Sequence, residues 1–146
     1  MTTIEQQKEL SLKNACVSFM FAYQQRNIDK MLSFCDINGE VFFKPLGEQG
    51  KGKIMELGKA IWTSLIDSFP DIDNTVDAAI AEDGDSVRCQ VVIRGTQVKD
   101  FAGITSKGNH FDSDHIFIFR LNTSGKIDKI EIEWDHEDFK KQLGGL

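Results

Sequence analysis

The sequence is poor in the residues from which most catalytic machinery is built. It has three histidines, three cysteines, two prolines, two tryptophans and one tyrosine among 146 residues. Cys16, Cys35 and Cys89 are odd in number, widely spaced and form no CxxC pair. That excludes zinc-ribbon and dithiol patterns and predicts buried, reduced thiols in a cytoplasmic protein. No Gly-x-Ser-x-Gly elbow is present. No apolar run approaches the ~20 residues of a membrane span, and the opening MTTIEQQKEL does not read as a secretory signal. Positive charge is also scarce: 17 Lys and Arg stand against 23 Asp and Glu, for a net charge of −6. Phosphate backbones call for a basic surface, so neither nucleic acid nor membrane is an expected partner. What remains is an ordinary globular composition, 40% apolar and 27% charged, with eleven phenylalanines. Its length fits one domain, residues 1–146.

Patterning divides the chain into two halves. Thr3 and Gln6 fit a capping box, and Leu12, Cys16, Phe19 and Tyr23 continue as an amphipathic helical stripe. Asn27 can cap a short second helix through Phe34. Val41 to Phe43 reads as a short strand, and a third helix is predicted from about Lys53 to Phe69, striped by Ile54, Leu57, Ile61 and Leu65, with Trp62 and Ile66 widening the stripe. After Pro70 the period changes to two, predicting strands near 73–82, 86–98, 109–121 and 126–135, and then a short helix over His136 to Gln142. Helices followed by antiparallel strands give an α+β class, with three N-terminal helices on one face of a curved, mostly antiparallel sheet.

Alternation assigns the two sheet faces. Ser113, His115, Phe117 and Phe119 share one face with Val87, Cys89, Val91 and Ile93 and with Ile130, Ile132 and Trp134. The opposite face mixes Arg88, Arg94 and Arg120 with Asp112, Asp114, Glu131 and Glu133, and with Val92, Ile116 and Ile118. A face both charged and aliphatic suits a partner subunit; it equally suits plain solvent.

Three motifs suggest ligands and fail on chemistry. Gly47 to Lys53 matches GxxxxGK, but Ile54 stands where a magnesium-binding hydroxyl belongs and the sheet is not parallel. Asp71, Asp73, Thr75, Asp77 and Glu82 fall on calcium-loop positions, but Val76 replaces the glycine of the sharp turn. His110, Asp112 and Asp114 alternate along one strand, too far apart to close on one ion. No metal and no cofactor is therefore expected. His115 is different. A histidine on an apolar face is either a satisfied core residue or a pocket acid–base group. Tyr23, at the end of the first stripe, can donate into a cavity or reach water. Trp134 reads as a wall. Asp135 sits where a helix cap belongs.

The segments SFPDID (68–73), AEDGDSVRCQVVIRGT (81–96), FAGITSKGNHF (101–111), HIFIFRL (115–121) and IEWDHEDFKKQLG (132–144), with the helices before them, resemble the nuclear transport factor 2-like superfamily. Within it the chain is most similar to SnoaL-like polyketide cyclases and their ester-cyclase relatives. The resemblance implies a cone-shaped α+β barrel with an apolar pocket. It would put Phe19, Tyr23, Trp62 and Ile66 on the helical walls, and His115, Phe117, Phe119, Ile130, Ile132 and Trp134 on the sheet wall. The ketosteroid-isomerase triad of this fold is not matched, because Lys44 and Phe117 stand at its acidic positions. The cyclases' His and Asp fall on His115 and Asp135. Strict alternation turns Asp135 away from the face of Trp134, so it reaches the pocket only through a bulge.

The resemblance implies cofactor-free proton transfer on a hydrophobic, carbonyl-bearing small molecule, with His115 as acid–base residue assisted by Tyr23 or Asp135. It also implies a homodimer through the outer sheet face. Two alternatives stand beside this reading. One is a non-catalytic module that binds a hydrophobic ligand or a partner. The other is a pocket filled by its own aromatic rings.

Overall fold

A computed structural model describes residues 3–145. The chain runs α1 (Ile4–Gln24), α2 (Ile28–Ser33), β1 (Cys35–Phe43), β2 (Lys51–Lys53), α3 (Lys59–Ser68), β3 (Asp73–Glu82), β4 (Ser86–Thr96), β5 (His110–Leu121), β6 (Ile127–Trp134) and α4 (His136–Gln142). A 3₁₀ segment, Lys44–Gly50, joins β1 to β2, and a π-turn, Ile54–Gly58, leads into α3.

Local chemistry sets several of these boundaries. Thr3 and Gln6 close the capping box of α1 with reciprocal bonds of 2.9 and 3.1 Å. Arg26 leaves the helix at φ 59°, and the N–H groups of Arg26 and Asn27 return to the carbonyls of Tyr23 and Ala22. The Asn27 side chain then accepts from the Lys30 N–H and starts α2. Other boundaries differ from the sequence reading. The GEQGKG segment leads into β2, which pairs antiparallel with β1, Val41 opposite Gly52. GxxxxGK therefore ends in a hairpin strand and forms no phosphate-cradling helix start. β1 begins at Cys35, not near Val41. Its first half, CDINGE, has no alternation to announce it and is extended beside β6, with a register shift between Cys35 and Glu40.

The strands form one sheet in the order β2-β1-β6-β5-β4-β3. β1 and β6 are parallel, and every other neighbouring pair is antiparallel. The sheet is open, with β2 and β3 as its edges, and helices close the hollow side. α1 lies against β3 and β4, the π-turn before α3 lies against β1, and α4 lies against β5. This is the α+β architecture of helices on a mostly antiparallel sheet. The inward set Val87, Cys89, Val91, Ile93, Phe117 and Phe119 is buried, as are the free thiols of Cys16 and Cys35. No helix of the described residues is long and apolar enough to cross a membrane.

The outward face carries exposed or half-exposed ion pairs, among them Lys44–Glu131 at 3.0 Å, Arg94–Asp73 at 3.2 Å and Arg120–Asp128 at 2.9 Å. Such pairs contribute little stability. Phe69, just past α3, contributes far more. Its ring meets Phe111 at 5.0 Å, Phe101 at 5.9 Å and Phe139 at 6.2 Å, tying α3, β5, the 97–109 connection and α4 together. Phe69→Ala should lower unfolding stability by about 3–5 kcal/mol in urea titration. A loss below about 1 kcal/mol would show that the cluster can collapse around the gap.

Candidate functional site

The interior hollow lies between α1, α3 and the inner faces of β4, β5 and β6. Its lining side chains sort by exposure. Leu46, Ile61, Leu65, Phe101 and Trp134 are half-buried and form the mouth. Tyr23, Trp62, Phe111, His115 and Phe117 are buried and form the floor. No lysine, arginine, aspartate or glutamate lines it.

Aromatic rings occupy most of the space the resemblance implied for a ligand, leaving a cavity of about 40 Å³. A cavity of ~150 Å³ admits benzene, so this one has room for water and not for a ring. The closing side chains come from two places. Phe139 projects from α4, and Phe101 from a strap over residues 97–109 that joins β4 to β5. The strap tip turns at Ala102 (φ 51°) and Gly103 (φ 79°), both exposed. Phe101 and Ile104 exchange backbone bonds across that turn, and Asp100 accepts from the Ser106 N–H at 2.8 Å. Beneath it the buried Gln97 amide donates to the carbonyls of Lys99 and Ile104, while its own Oε1 has no partner.

His115 is carried by β5 between Val91 of β4 and Trp134 of β6. Its ring stacks on Trp134 at 5.4 Å and 21°. Its Nδ1 lies 3.1 Å from the Ser113 carbonyl oxygen, which can only accept. Nδ1 therefore carries the proton and Nε2 keeps a lone pair. Burial pushes the imidazole down to about 4, a shift partly offset by the bond to Ser113. Near neutral pH the group is uncharged and accepts. Tyr23 is buried, and burial holds its hydroxyl above the usual phenol range, so it is a neutral donor. The hydroxyl hydrogen-bonds to no other described residue.

The remaining expected residues fall on both sides. Tyr23, Trp62, His115, Phe117, Ile132 and Trp134 meet at the cavity. Phe19, Phe119 and Ile130 do not line it; they pack in the solid core, Phe19 against Phe119 at 5.5 Å. Ile66 is half-buried against the core, away from the cavity. Asp135 is the N-cap of α4, exposed, accepting from the Asp138 N–H at 3.0 Å. No bulge turns it inward, because β6 ends at Trp134. The thiols do not supply a nucleophile: burial pushes Cys35 up to about 12, Cys89 up to about 11 and Cys16 well upward. Among the described residues no three His, Cys, Asp or Glu side chains gather as a metal site requires.

Other contributors went unread. Phe111 follows the same alternation as His115, so its inward placement was available from parity, and Ile93, read as inward, was not assigned to the cavity. Leu46 and Phe101 lie in irregular segments with no period to read. His136 accepts from the Trp134 indole N–H at 3.1 Å and stacks on Phe139 at 5.8 Å, steadying the wall behind His115.

A family model described as SnoaL-like polyketide cyclase matches residues 18–143. The comparison with curated proteins finds no match. Among solved structures, a provisionally named SnoaL-like polyketide cyclase from Jannaschia sp. CCS1 is 15% identical, with TM-score 0.82 over 100% of this chain and 98% of that one. TsrD from Streptomyces laurentii is 23% identical, with TM-score 0.79 over 94% and 97% of the two chains. IdmH from Streptomyces antibioticus, provisionally a polyketide cyclase, is 20% identical, with TM-score 0.76 over 91% and 98%. At these identities the likeness shows the fold.

Two measurements check the site chemistry. The His115 ring should titrate near pH 4 by NMR. Unfolded chains protonate this histidine near 6.5 and folded ones do not. Stability should therefore fall as pH drops from about 6.5 to about 4, by about 3 kcal/mol in all, and this component should level off below. His115→Gln should remove that component and leave the one from His136, whose imidazole is also pushed down by burial. Asp135→Ala should cost about 1 kcal/mol as a lost cap and leave the His115 midpoint unchanged.

Proposed function

Because this chain belongs to the SnoaL-like polyketide cyclase family, we propose that it performs proton-transfer chemistry on a hydrophobic small molecule bearing a carbonyl group, with His115 as the proton acceptor. One observation carries this reading. A neutral imidazole sits at the floor of an apolar cavity with Nδ1 committed to Ser113 and Nε2 free. Such a group takes a proton from carbon next to a carbonyl and returns it after rearrangement. An imidazole held near 4 is a weak base in the empty site. A negative charge developing on the substrate beside it raises its proton affinity, so the group gains basicity as the reaction proceeds. The Tyr23 hydroxyl, neutral and unpartnered, supplies a hydrogen bond to the oxygen that becomes negative. The chemistry needs only these proton movements and no cofactor.

The cavity as it stands is too small for such a substrate. Phe101 is the ring most free to leave, because it is half-buried and hangs from an exposed turn. In the proposal the strap swings outward, the substrate body lies across Leu46, Ile61 and Leu65, and its carbonyl reaches the floor.

A second reading has its own observation. Asp135 caps α4 and no carboxylate converges on His115, an arrangement that also suits a carrier that binds without turnover. Hydrogen–deuterium exchange separates the two. With the cyclic β-keto ester ethyl 2-oxocyclohexanecarboxylate in D2O, the enzyme reading expects α-proton exchange above the buffer rate. His115→Ala should lower that excess by at least about a hundredfold with folding intact, and Phe101→Ala should raise it. Binding with exchange at the buffer rate favours the carrier; exchange indifferent to His115→Ala removes His115 from the chemistry.

The homodimer belongs to the same proposal. Val92, Ile116 and Ile118 are half-buried at the centre of the outer face, and Arg88 and Glu133 on that face join no ion pair among the described residues. Opposite charges around an apolar centre suit a second copy related by a two-fold axis. Sedimentation at tens of micromolar should give a dimer, and a monomer would remove this part.

A further inference from the structure

We infer that Trp62 is a ligand-binding residue whose indole N–H, with the Tyr23 hydroxyl, holds the oxygen of a neutral ketone or ester, and that Gly58 is what aims it. The inference rests on the reading just given and adds a donor and a discrimination to it.

A buried tryptophan normally finds a partner for its N–H. Trp134 does so on His136. Trp62 is 1% exposed, and its indole N–H hydrogen-bonds to no other described residue. Nor is that nitrogen sealed in packing, since Gln97 Oε1 is the one sealed and unpartnered side-chain atom among the described residues. Trp62 Nε1 therefore borders open space. Among the described residues this cavity is the one hollow that Trp62 lines, so the inference puts Nε1 at its wall.

The orientation has a cause. Trp62 stands one turn after Gly58, and helical side chains lean back toward the preceding turn. A Cβ at Gly58 would lie 2.7 Å from Cζ3 and 3.2 Å from Cη2 of the indole. The six-membered ring thus rests against bare backbone, and Nε1, on the opposite edge from Cζ3, points away from it. Edge contacts with Phe19 at 5.4 Å and Phe43 at 5.7 Å hold the plane.

The cavity then offers two neutral donors, Tyr23 Oη and Trp62 Nε1, and one acceptor, His115 Nε2, in an otherwise apolar wall. Two donors suit one carbonyl oxygen. With no lysine or arginine in the lining, a carboxylate would be buried unpaired, which is strongly disfavoured. The site should therefore select a neutral carbonyl over an acid of similar shape.

The chain has two tryptophans, so a 15N-labelled sample gives two indole N–H signals, assigned with Trp62→Phe. On titration with cyclohexanone the Trp62 indole proton should move downfield and that of Trp134 stay. Cyclohexanecarboxylate should move neither. Trp62→Phe, shown folded by an unshifted Trp134 signal, should bind the ketone about five- to tenfold more weakly. A Trp62 signal that stays put, a ketone affinity unchanged in Trp62→Phe, or a carboxylate that binds as well overturns the inference; so does a titration in which no ketone binding is seen. The two proposals fail separately: deuterium exchange without a Trp62 shift removes this donor alone, and a Trp62 shift without exchange removes the turnover and leaves the binding.

Discussion

The register of β5 between β4 and β6 is the constraint on which the rest depends. Phe117 stands opposite Cys89 on one side and Ile132 on the other, and His115 opposite Val91 and Trp134. Side chains alternate with a period of two, so a slip of one residue would exchange the faces. His115, Phe117 and Phe119 would then meet water, and Asp114, Ile116 and Ile118 would enter the core. Burial of Phe117 and Phe119 holds the register, and the same register turns the imidazole inward. The position proposed for the acid–base group is thus secured by the packing of its neighbours on the same strand.

Burial also sets the character of the site. An imidazole without a carboxylate partner, stacked on an indole and bonded to a backbone carbonyl, stays neutral. A phenol in the same wall stays protonated. The lining carries no lysine, arginine, aspartate or glutamate, a composition that poorly suits holding an ion. The aromatic cluster around Phe69 adds a tension. The rings that bind α3, β5 and α4 together occupy the volume a ligand would use. Stability favours the filled hollow, and function under the present reading requires the least anchored ring to leave it. Phe101 meets that description because a two-residue turn carries it.

Legibility followed periodicity. Helix and strand alternation revealed both the sheet faces and the inward turn of His115, Phe117, Ile132 and Trp134, because each depends only on counting along one element. The capping box of α1 and the cap at Asn27 were readable for the same reason. Phe19, Phe119 and Ile130 were placed on the correct face and at the wrong depth: parity distinguishes in from out and says nothing about how far along a strand the packing becomes solid. Leu46 and Phe101 come from segments without a period. Asp135 showed its capping position in the sequence, and the resemblance to the cyclases pulled it toward the pocket against its own parity.

From its residues alone the chain determined its class, its faces and the family to which it belongs, since these follow from local hydrogen bonding and from which side chains avoid water. Tertiary structure alone decided that the hollow is nearly full, that Asp135 stays outside, that β1 begins at Cys35 and that the Trp62 indole N–H is left without a partner. Those outcomes turn on distances between elements far apart in sequence, where a single ring of Phe101 or Phe139 decides whether space exists, and no pattern along one strand or helix carries that information.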